Sequence, residues 1–465
     1  MKFDFAIIGS GPAGSVISDV LSKKGFKVAL IDRASNDKRQ QANHFFCPYI
    51  EKSPDYYTPV FSNEMGGNGV LWHSKVYLLS KDEVENYNWF IGYDELKKYS
   101  DLLSRRFKIS NSLITKINKK SKAIYRYSLR ANFRSIYEYL KIKENKKIKV
   151  FKGYSPIRLN LKNDIAKSII IKNINNKEEK IDINYDLIFC CGGLGNPHLL
   201  LNLLKKKNKN LGKFLSDHPH VNLGKIKISE ILNFKKILKP NIKLNLKIKT
   251  DEAALIIKNK NYFCGIQVDY KTDPTRKLTR IFIRIKNLKL RIFLNFFSFF
   301  VKKINGLFYM LGFFFNRYYK YSFEFFFSQN PNSKNQIYLT NKFDKFGLKK
   351  AVIKWDLQKD DLKHYAELLN KSPKIGSISI KIKSFQDTFY KNGLSGLHPS
   401  CTTKIGLNDK VGVVNKDLKL FGYENIHVVG SSVFPYNGYT NPTWTIMTLA
   451  LRLAKKLIKI RSIIR

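Results

Sequence analysis

Gly9, Gly11 and Gly14 fall at GxGxxG spacing within the run Gly9-Ser10-Gly11-Pro12-Ala13-Gly14. At a strand-to-helix turn this spacing suits a dinucleotide pyrophosphate. The first glycine permits the tight turn and the second lets backbone approach the phosphates. The third lets helix and strand pack closely, and the helix N-terminus offers unpaired N–H groups. Asp32 comes 18 residues after Gly14 (32 − 14), where a carboxylate can accept from ribose hydroxyls. The loop by itself leaves FAD and NAD both open.

The surrounding elements are those the loop needs. Residues 3–8 form an apolar run that predicts a first strand, and a helix follows through Val20, Leu21 and Lys24, stopped at Gly25. Val28-Ala29-Leu30-Ile31 reads as a buried parallel strand ending at Asp32. Further on, Ile148 and Val150 suggest a short strand. Residues 168–171 and 181–183 flank a polar turn and predict a hairpin. Residues 187–191 read as a buried strand running into Gly192-Gly193, with a helix starting near Pro197. Residues 242–249, 336–340 and 351–355 read as strands and 359–369 as a helix. A strand at 425–430 and an amphipathic helix at 441–459 close the chain.

Composition narrows the function classes. The chain has 465 residues, enough for more than one domain, and 43% hydrophobic residues exclude a mostly disordered chain. Its 5 cysteines have no regular spacing, which excludes a disulfide-stapled scaffold, and its 8 histidines show no zinc-ligand pattern, so no metal is expected. The formal charge is +48, from 84 Lys+Arg against 36 Asp+Glu. The lysines are spread along the chain and no recognition module accompanies them, so no nucleic-acid partner is expected. The chain starts directly on strand-like residues, so a secretory leader is not expected and a cytoplasmic location fits. Residues 292–301 and 307–315 are two short apolar runs around Lys302 and Lys303. Each is too short to span a bilayer. They read first as a buried helical hairpin or an oligomer contact. The second reading is a segment lying peripherally on the inner face of a membrane.

The segment from Gly396 to Leu457 carries the most specific pattern. It holds Gly396-Leu397-His398-Pro399, then Gly412-Val413-Val414, then residues 425–435 with Gly430 and Ser431, then Asn441-Pro442-Thr443 before the helix. This closely resembles the C-terminal signature of the glucose–methanol–choline (GMC) family of FAD-dependent oxidoreductases. Weaker stretches extend the resemblance in the same order: Met65-Gly66-Gly67-Asn68-Gly69, Asn88-Trp89-Phe90-Ile91-Gly92-Tyr93, Cys191-Gly192-Gly193-Leu194-Gly195-Asn196-Pro197, Asp217-His218-Pro219 and Asn330-Pro331-Asn332-Ser333.

The resemblance implies an α/β fold: a discontinuous Rossmann-like FAD-binding domain (1–80, 150–220 and 395–465) with a second, α+β substrate domain on an antiparallel sheet (81–149 and 221–394). It implies oxidation of an alcohol, sugars and polyols among the candidates, by hydride transfer to flavin N5. His398 would be the proton acceptor and Asn441, 43 residues on (441 − 398), would orient the hydroxyl. The implied cofactor contacts are Gly9, Gly11, Gly14, Asp32, Arg33, Gly67, Asn68, Gly69, Ile157, Gly192, Gly430, Ser431, Asn441, Pro442 and Thr443. Relatives that bind FAD covalently use a histidine where this chain has Leu71, so non-covalent FAD is expected; His73 is out of register. Cys401 replaces a family glycine, so local packing should differ there. The other histidines are read as structural, with His218 holding a turn and His427 on a sheet face. The electron acceptor stays open between oxygen, a quinone and a protein. The alternatives are an NAD-dependent dehydrogenase on the same loop, or a basic membrane-surface protein with a vestigial fold.

Overall fold

Apolar, buried strands build the centre of the first sheet. Its five parallel strands run in the order β7 (Ile148–Lys152), β2 (Val28–Asp32), β1 (Lys2–Ile8), β10 (Glu178–Phe189), β17 (Ile426–Val428). The polar first half of β10 leaves the parallel stack and pairs antiparallel with β9 (Ile165–Asn173), which pairs with β8 (Tyr154–Lys162). The β9–β10 hairpin matches the expectation from sequence. In the computed structural model the described residues are 1–35, 47–72, 75–76, 79–109, 115–118, 123–130, 135–206, 208–223, 250–259, 262–268, 323–370, 386–387, 389–391, 395–439 and 441–463. The expected strand at 242–249, the runs at 292–301 and 307–315, and His73 lie outside them.

A second sheet is antiparallel throughout. Its order is β11 (His220–Leu223), β14 (Phe323–Phe327), β13 (Tyr262–Val268), β12 (Thr250–Asn259), β6 (Ala123–Arg130), β4 (Lys75–Val76), and β5 (Thr115–Asn118) also pairs with β6. A small third sheet joins β3 (Ile50–Lys52), β16 (Lys349–Lys354) and β15 (Gln336–Phe343).

The five longest of the described helices are α1 (Pro12–Ser22), α2 (Tyr93–Arg106), α3 (Gly192–Leu203), α4 (Lys359–Asn370) and α5 (Thr443–Ser462). α5 packs on α1 and α2. Two polar contacts pin it to α2: Trp444 Nε1 donates to Ser100 Oγ at 2.9 Å, and the buried Arg452 donates to Glu95 at 2.7 Å. Trp444 fixes the start of α5 and Arg452 its middle, and Asn441 stands just ahead of the helix. No described helix is long and apolar enough to cross a membrane.

One helix boundary differs from the sequence reading. α3 begins at Gly192, and Pro197 lies inside it. Proline has no N–H for the carbonyl four residues back. That carbonyl belongs to Gly193, and Thr402 Oγ1 donates to it at 2.6 Å. A tertiary hydroxyl thus replaces the missing helical bond, which no local sequence signal announces.

Candidate active site

Three glycine-bearing turns meet at the C-terminal ends of β1 and β10. Ser10 ties them together. Its backbone N–H and its hydroxyl both donate to Asp32 Oδ2, at 2.7 and 2.6 Å, and its oxygen accepts from the Gly66 N–H at 2.8 Å. Asp32 Oδ1 accepts from the Ala34 N–H at 2.8 Å. Desolvation pushes the Asp32 carboxyl above its ordinary range, and the Ser10 and Ala34 hydrogen bonds oppose that shift.

The glycines divide by what surrounds them. A Cβ on Gly14 would stand 1.9 Å from the Gly9 carbonyl oxygen, and one on Gly9 would stand 2.7 Å from that of Cys190. These two glycines are required by the protein's own packing. A Cβ on Gly11 would meet nothing nearer than 3.9 Å, and one on Gly192 nothing within 4 Å. Gly67 faces the Cα of Gly11, at 3.5 Å from its own would-be Cβ. Gly11, Gly67 and Gly192 therefore line space that side chains would fill, and the packing of the chain does not demand their small size. Beside Asp32, the buried Tyr137 hydroxyl has no hydrogen-bond partner among the described residues; burial first, then the Asp32 charge, pushes its pKa up to about 12. An open glycine cradle, an acceptor carboxylate and an orphaned buried hydroxyl fit a bound dinucleotide such as FAD.

The other expected cofactor contacts take varied places. Asn68 has both amide atoms engaged within its own loop, accepting from the Ser62 N–H at 2.8 Å and donating to the Val60 carbonyl at 2.7 Å. It shapes the second glycine turn, and Gly69 packs on Pro12 of the first. The Arg33 guanidinium bonds Ser155 at 2.9 Å and Asp344 at 3.1 Å and lies over the rings of Tyr49 and Phe346, so it braces the first sheet against the β15–β16 hairpin. Ile157 is a half-buried residue of β8 packed on the main core. Pro442 and Thr443 form the start of α5, whose first turn has no side-chain cap and thus free N–H donors.

Gly430 and Ser431 hold the segment that follows His398. Ser431 Oγ donates to the Pro399 carbonyl at 2.7 Å, and the N–H groups of Cys401, Thr403 and Ile405 bond the carbonyls of Ser431, Ser432 and Val433. Cys401 sits at φ +67°, where glycine is costless. Its thiol is fully buried and desolvation pushes it up to about 12, so it is a packed, protonated group and no nucleophile at neutral pH.

His398 owes its neighbours to register. Ser216 and Ser400 pair antiparallel, exchanging backbone bonds at 3.2 and 2.9 Å. Two residues along in each direction, that register sets His218 opposite His398. The rings meet with His218 Nε2 2.5 Å from His398 Nδ1. Asp217, fully buried between them, gathers four donors. The N–H groups of His218 and His398 reach Oδ1 at 2.8 and 3.2 Å, and the Gly396 N–H and the Tyr57 hydroxyl reach Oδ2 at 2.9 and 3.1 Å. Burial nonetheless raises its pKa to about 6. Burial first, then the neighbouring imidazoles His398 and His220, hold His218 well below the usual histidine range, so it is neutral. Asn441 completes the group, its Nδ2 3.4 Å from His398 Nε2. The fold thus brings together His398 and Asn441, as expected from sequence.

His218, read from sequence as a turn residue, sends its imidazole onto His398. Nothing in a linear sequence shows that cross-strand register. His220 and its partner Glu324, 3.1 Å away, are also adjacent. The donor atoms of His218, His220 and His398 all lie within 4.8 Å of one another. The first and third stand 2.5 Å apart, a hydrogen-bonding distance between two rings. Two nitrogens on one ion at about 2.0–2.1 Å would sit roughly 3.3 Å apart.

Residues 331–450 match the family profile for GMC oxidoreductase. Among curated proteins, the chain is 27% identical over 132 residues to 6'''-hydroxyparomomycin C oxidase of Streptomyces lividus and 27% identical over 132 residues to paromamine 6'-oxidase of Streptomyces fradiae. It is 39% identical over 67 residues to oxygen-dependent choline dehydrogenase of Photobacterium profundum. These matches take up 28%, 28% and 14% of this chain, and span only 23%, 24% and 11% of the relatives' own lengths. Whole-chain similarity comes from solved structures. Pyridoxine 4-oxidase of Mesorbium loti superposes with a TM-score of 0.64 at 13% identity, covering 98% of this chain and 99% of that one. An FAD-dependent oxidoreductase of Chaetomium thermophilum gives 0.65 at 12% identity, covering 99% and 100%. The chain thus carries a GMC oxidoreductase match over residues 331–450 and shares its overall fold with FAD-dependent oxidoreductases of known structure.

Proposed function

We propose that the chain oxidises an alcohol, R₂CH–OH, to the carbonyl R₂C=O. The observation that carries this reading is the pairing of His398 with Asn441, next to Pro399, whose carbonyl packs against Gly193 beside the open Gly192. Bound FAD would supply the acceptor for the hydride, the step amino acid side chains cannot perform. Gly11, Gly67 and Gly192 would leave room for its pyrophosphate and Asp32 would accept from its ribose.

The chain's own residues handle the proton and the geometry. His398 Nε2 accepts the hydroxyl proton, since imidazole titrates near neutral pH. Asn441 is neutral and holds the hydroxyl in line without competing for that proton. Asp217 places a carboxylate behind the His398 backbone, favouring the positive charge that His398 gains. The relatives' names include oxidases and a dehydrogenase, which supports a CH–OH donor and leaves oxygen, a quinone or a protein as electron acceptor. Sugars and polyols head the substrate list, and the site of action is the cytoplasm or the inner face of a membrane.

The test starts from colour. Purified protein should be yellow with a flavin spectrum, and a panel of alcohols, sugars and polyols mixed anaerobically should bleach it. A colourless protein that reduces NAD favours the nicotinamide alternative. A protein that binds anionic lipid in a salt-sensitive manner, with no turnover across the panel, favours the surface-binding one.

A further inference from the structure

The described contacts of the His398 and His218 rings fit one arrangement of protons. An amide NH₂ group only donates, so Asn441 Nδ2 at 3.4 Å requires a lone pair on His398 Nε2. The proton of neutral His398 is then on Nδ1, where it is donated to His218 Nε2 at 2.5 Å. His218 must in turn carry its own proton on Nδ1. That atom faces the Gly438 carbonyl at 3.5 Å, and a carbonyl only accepts. A donor at one end and an acceptor at the other polarise both imidazoles in the same sense.

We propose that His218 is a positioning residue: it holds His398 in the Nδ1–H tautomer, so that Nε2 faces the substrate hydroxyl unprotonated. This rests on the reading of His398 as proton acceptor. His218 is suited to the task because burial keeps it neutral. It receives a hydrogen bond from His398 without taking the proton, which stays on His398 after the hydroxyl is deprotonated. The turn does not need the ring. The backbone N–H of His218 bonds Asp217 Oδ1 at 2.8 Å, and Ser216 carries the pairing with Ser400. A side-chain change at His218 should therefore leave the loop in place.

The experiment is ¹⁵N NMR of histidine-labelled holoprotein, with signals assigned by single-histidine variants and flavin reduction followed in parallel. The wild type should show His398 with Nε2 as the imine-type nitrogen. In His218→Leu the acceptor is gone, and a large share of His398 should move to the Nε2–H form. Flavin reduction should slow by roughly ten- to a hundredfold, within the range of a general-base contribution, with KM little changed. His218→Gln, whose side-chain oxygen can accept from Nδ1–H, should restore the tautomer and most of the rate. Retained yellow colour and melting temperature show that each variant folds. The proposal is overturned if wild-type His398 is the Nε2–H tautomer, or if His218→Leu leaves the tautomer unchanged. A changed tautomer with an unchanged reduction rate overturns it from the other side, by removing His398 from the reaction.

Discussion

Alanine at two glycines of the same loop should act in opposite ways. In the interior of a helix, Gly→Ala normally stabilises by about 0.8–1.0 kcal/mol. At Gly14 the new Cβ would lie 1.9 Å from the Gly9 carbonyl oxygen and 3.0 Å from its carbon. Reaching ordinary contact requires the turn and helix to separate by about 1.5 Å (3.4 − 1.9). Overpacking of this kind costs about 1–3 kcal/mol, occasionally more. Backbone on both sides cannot swing aside as a flexible side chain would, so the upper end applies. Gly14→Ala should therefore lose about 2 kcal/mol net and weaken FAD binding as a consequence. At Gly11 the backbone is at φ −59°, open to any residue, and the nearest atom to a new Cβ is 3.9 Å away. Gly11→Ala apoprotein should be as stable as wild type or slightly more so. Its methyl group would stand where the pyrophosphate passes, so FAD affinity should fall at least tenfold, about 1.4 kcal/mol. Thermal unfolding of apoprotein by circular dichroism, with FAD titration by fluorescence quenching, separates the two effects. Wild-type FAD affinity in Gly11→Ala would refute the placement of the pyrophosphate. An undiminished melting temperature in Gly14→Ala would refute the packing argument.

Three other outcomes follow from particular residues. Leu71, at the end of the Gly67–Val70 turn, offers no nucleophile, so acid precipitation should release all yellow colour; flavin fluorescence retained on the denatured chain would contradict this. The raised pKa of Asp217, about 6 against an ordinary value of 3.8, means that ionising it costs the folded state. Its favourable contribution is complete below the unfolded value and is lost as pH rises through about 6. Relative to the non-titrating Asp217→Asn, wild type should lose about 2.4 kcal/mol between pH 4 and pH 7, read from denaturant midpoints; a gap that stays constant or moves the other way rejects the assignment. For residues 292–315, vesicle flotation decides between the readings. Protein that stays at the bottom of the gradient with anionic vesicles at low salt removes the membrane reading and leaves packing or oligomer contact.

Much of the fold could be read from local pattern because it is locally determined. The β1–α1–β2 unit, the β9–β10 hairpin and α5 follow from apolar runs, a glycine stop and polar turns. The pairing of His398 with Asn441 needed the family signature, since nothing in a single histidine distinguishes a base from a packed ring. What remained hidden depends on contacts between distant segments. Pro197 inside α3 is tolerated because Thr402 supplies the missing donor. His218 reaches His398 through the Ser216–Ser400 register. Arg33 follows Asp32 in sequence, yet its charge is drawn to Asp344 on another sheet. In each case the partner lies more than a hundred residues away, and the deciding physics is the satisfaction of a buried polar group, which local periodicity does not encode.

The central claim is that His398 takes the substrate proton at a flavin site built by this chain. Stopped-flow absorbance of the anaerobic holoprotein, with an alcohol that bleaches the wild type, tests it most directly. His398→Ala should keep its yellow colour, because the cradle of Gly11, Gly67, Gly192 and Asp32 is untouched, and should reduce its flavin slower by about two orders of magnitude or more. Asn441→Ala should lose less, since the proton acceptor remains. Flavin reduction in His398→Ala at the wild-type rate would contradict the account.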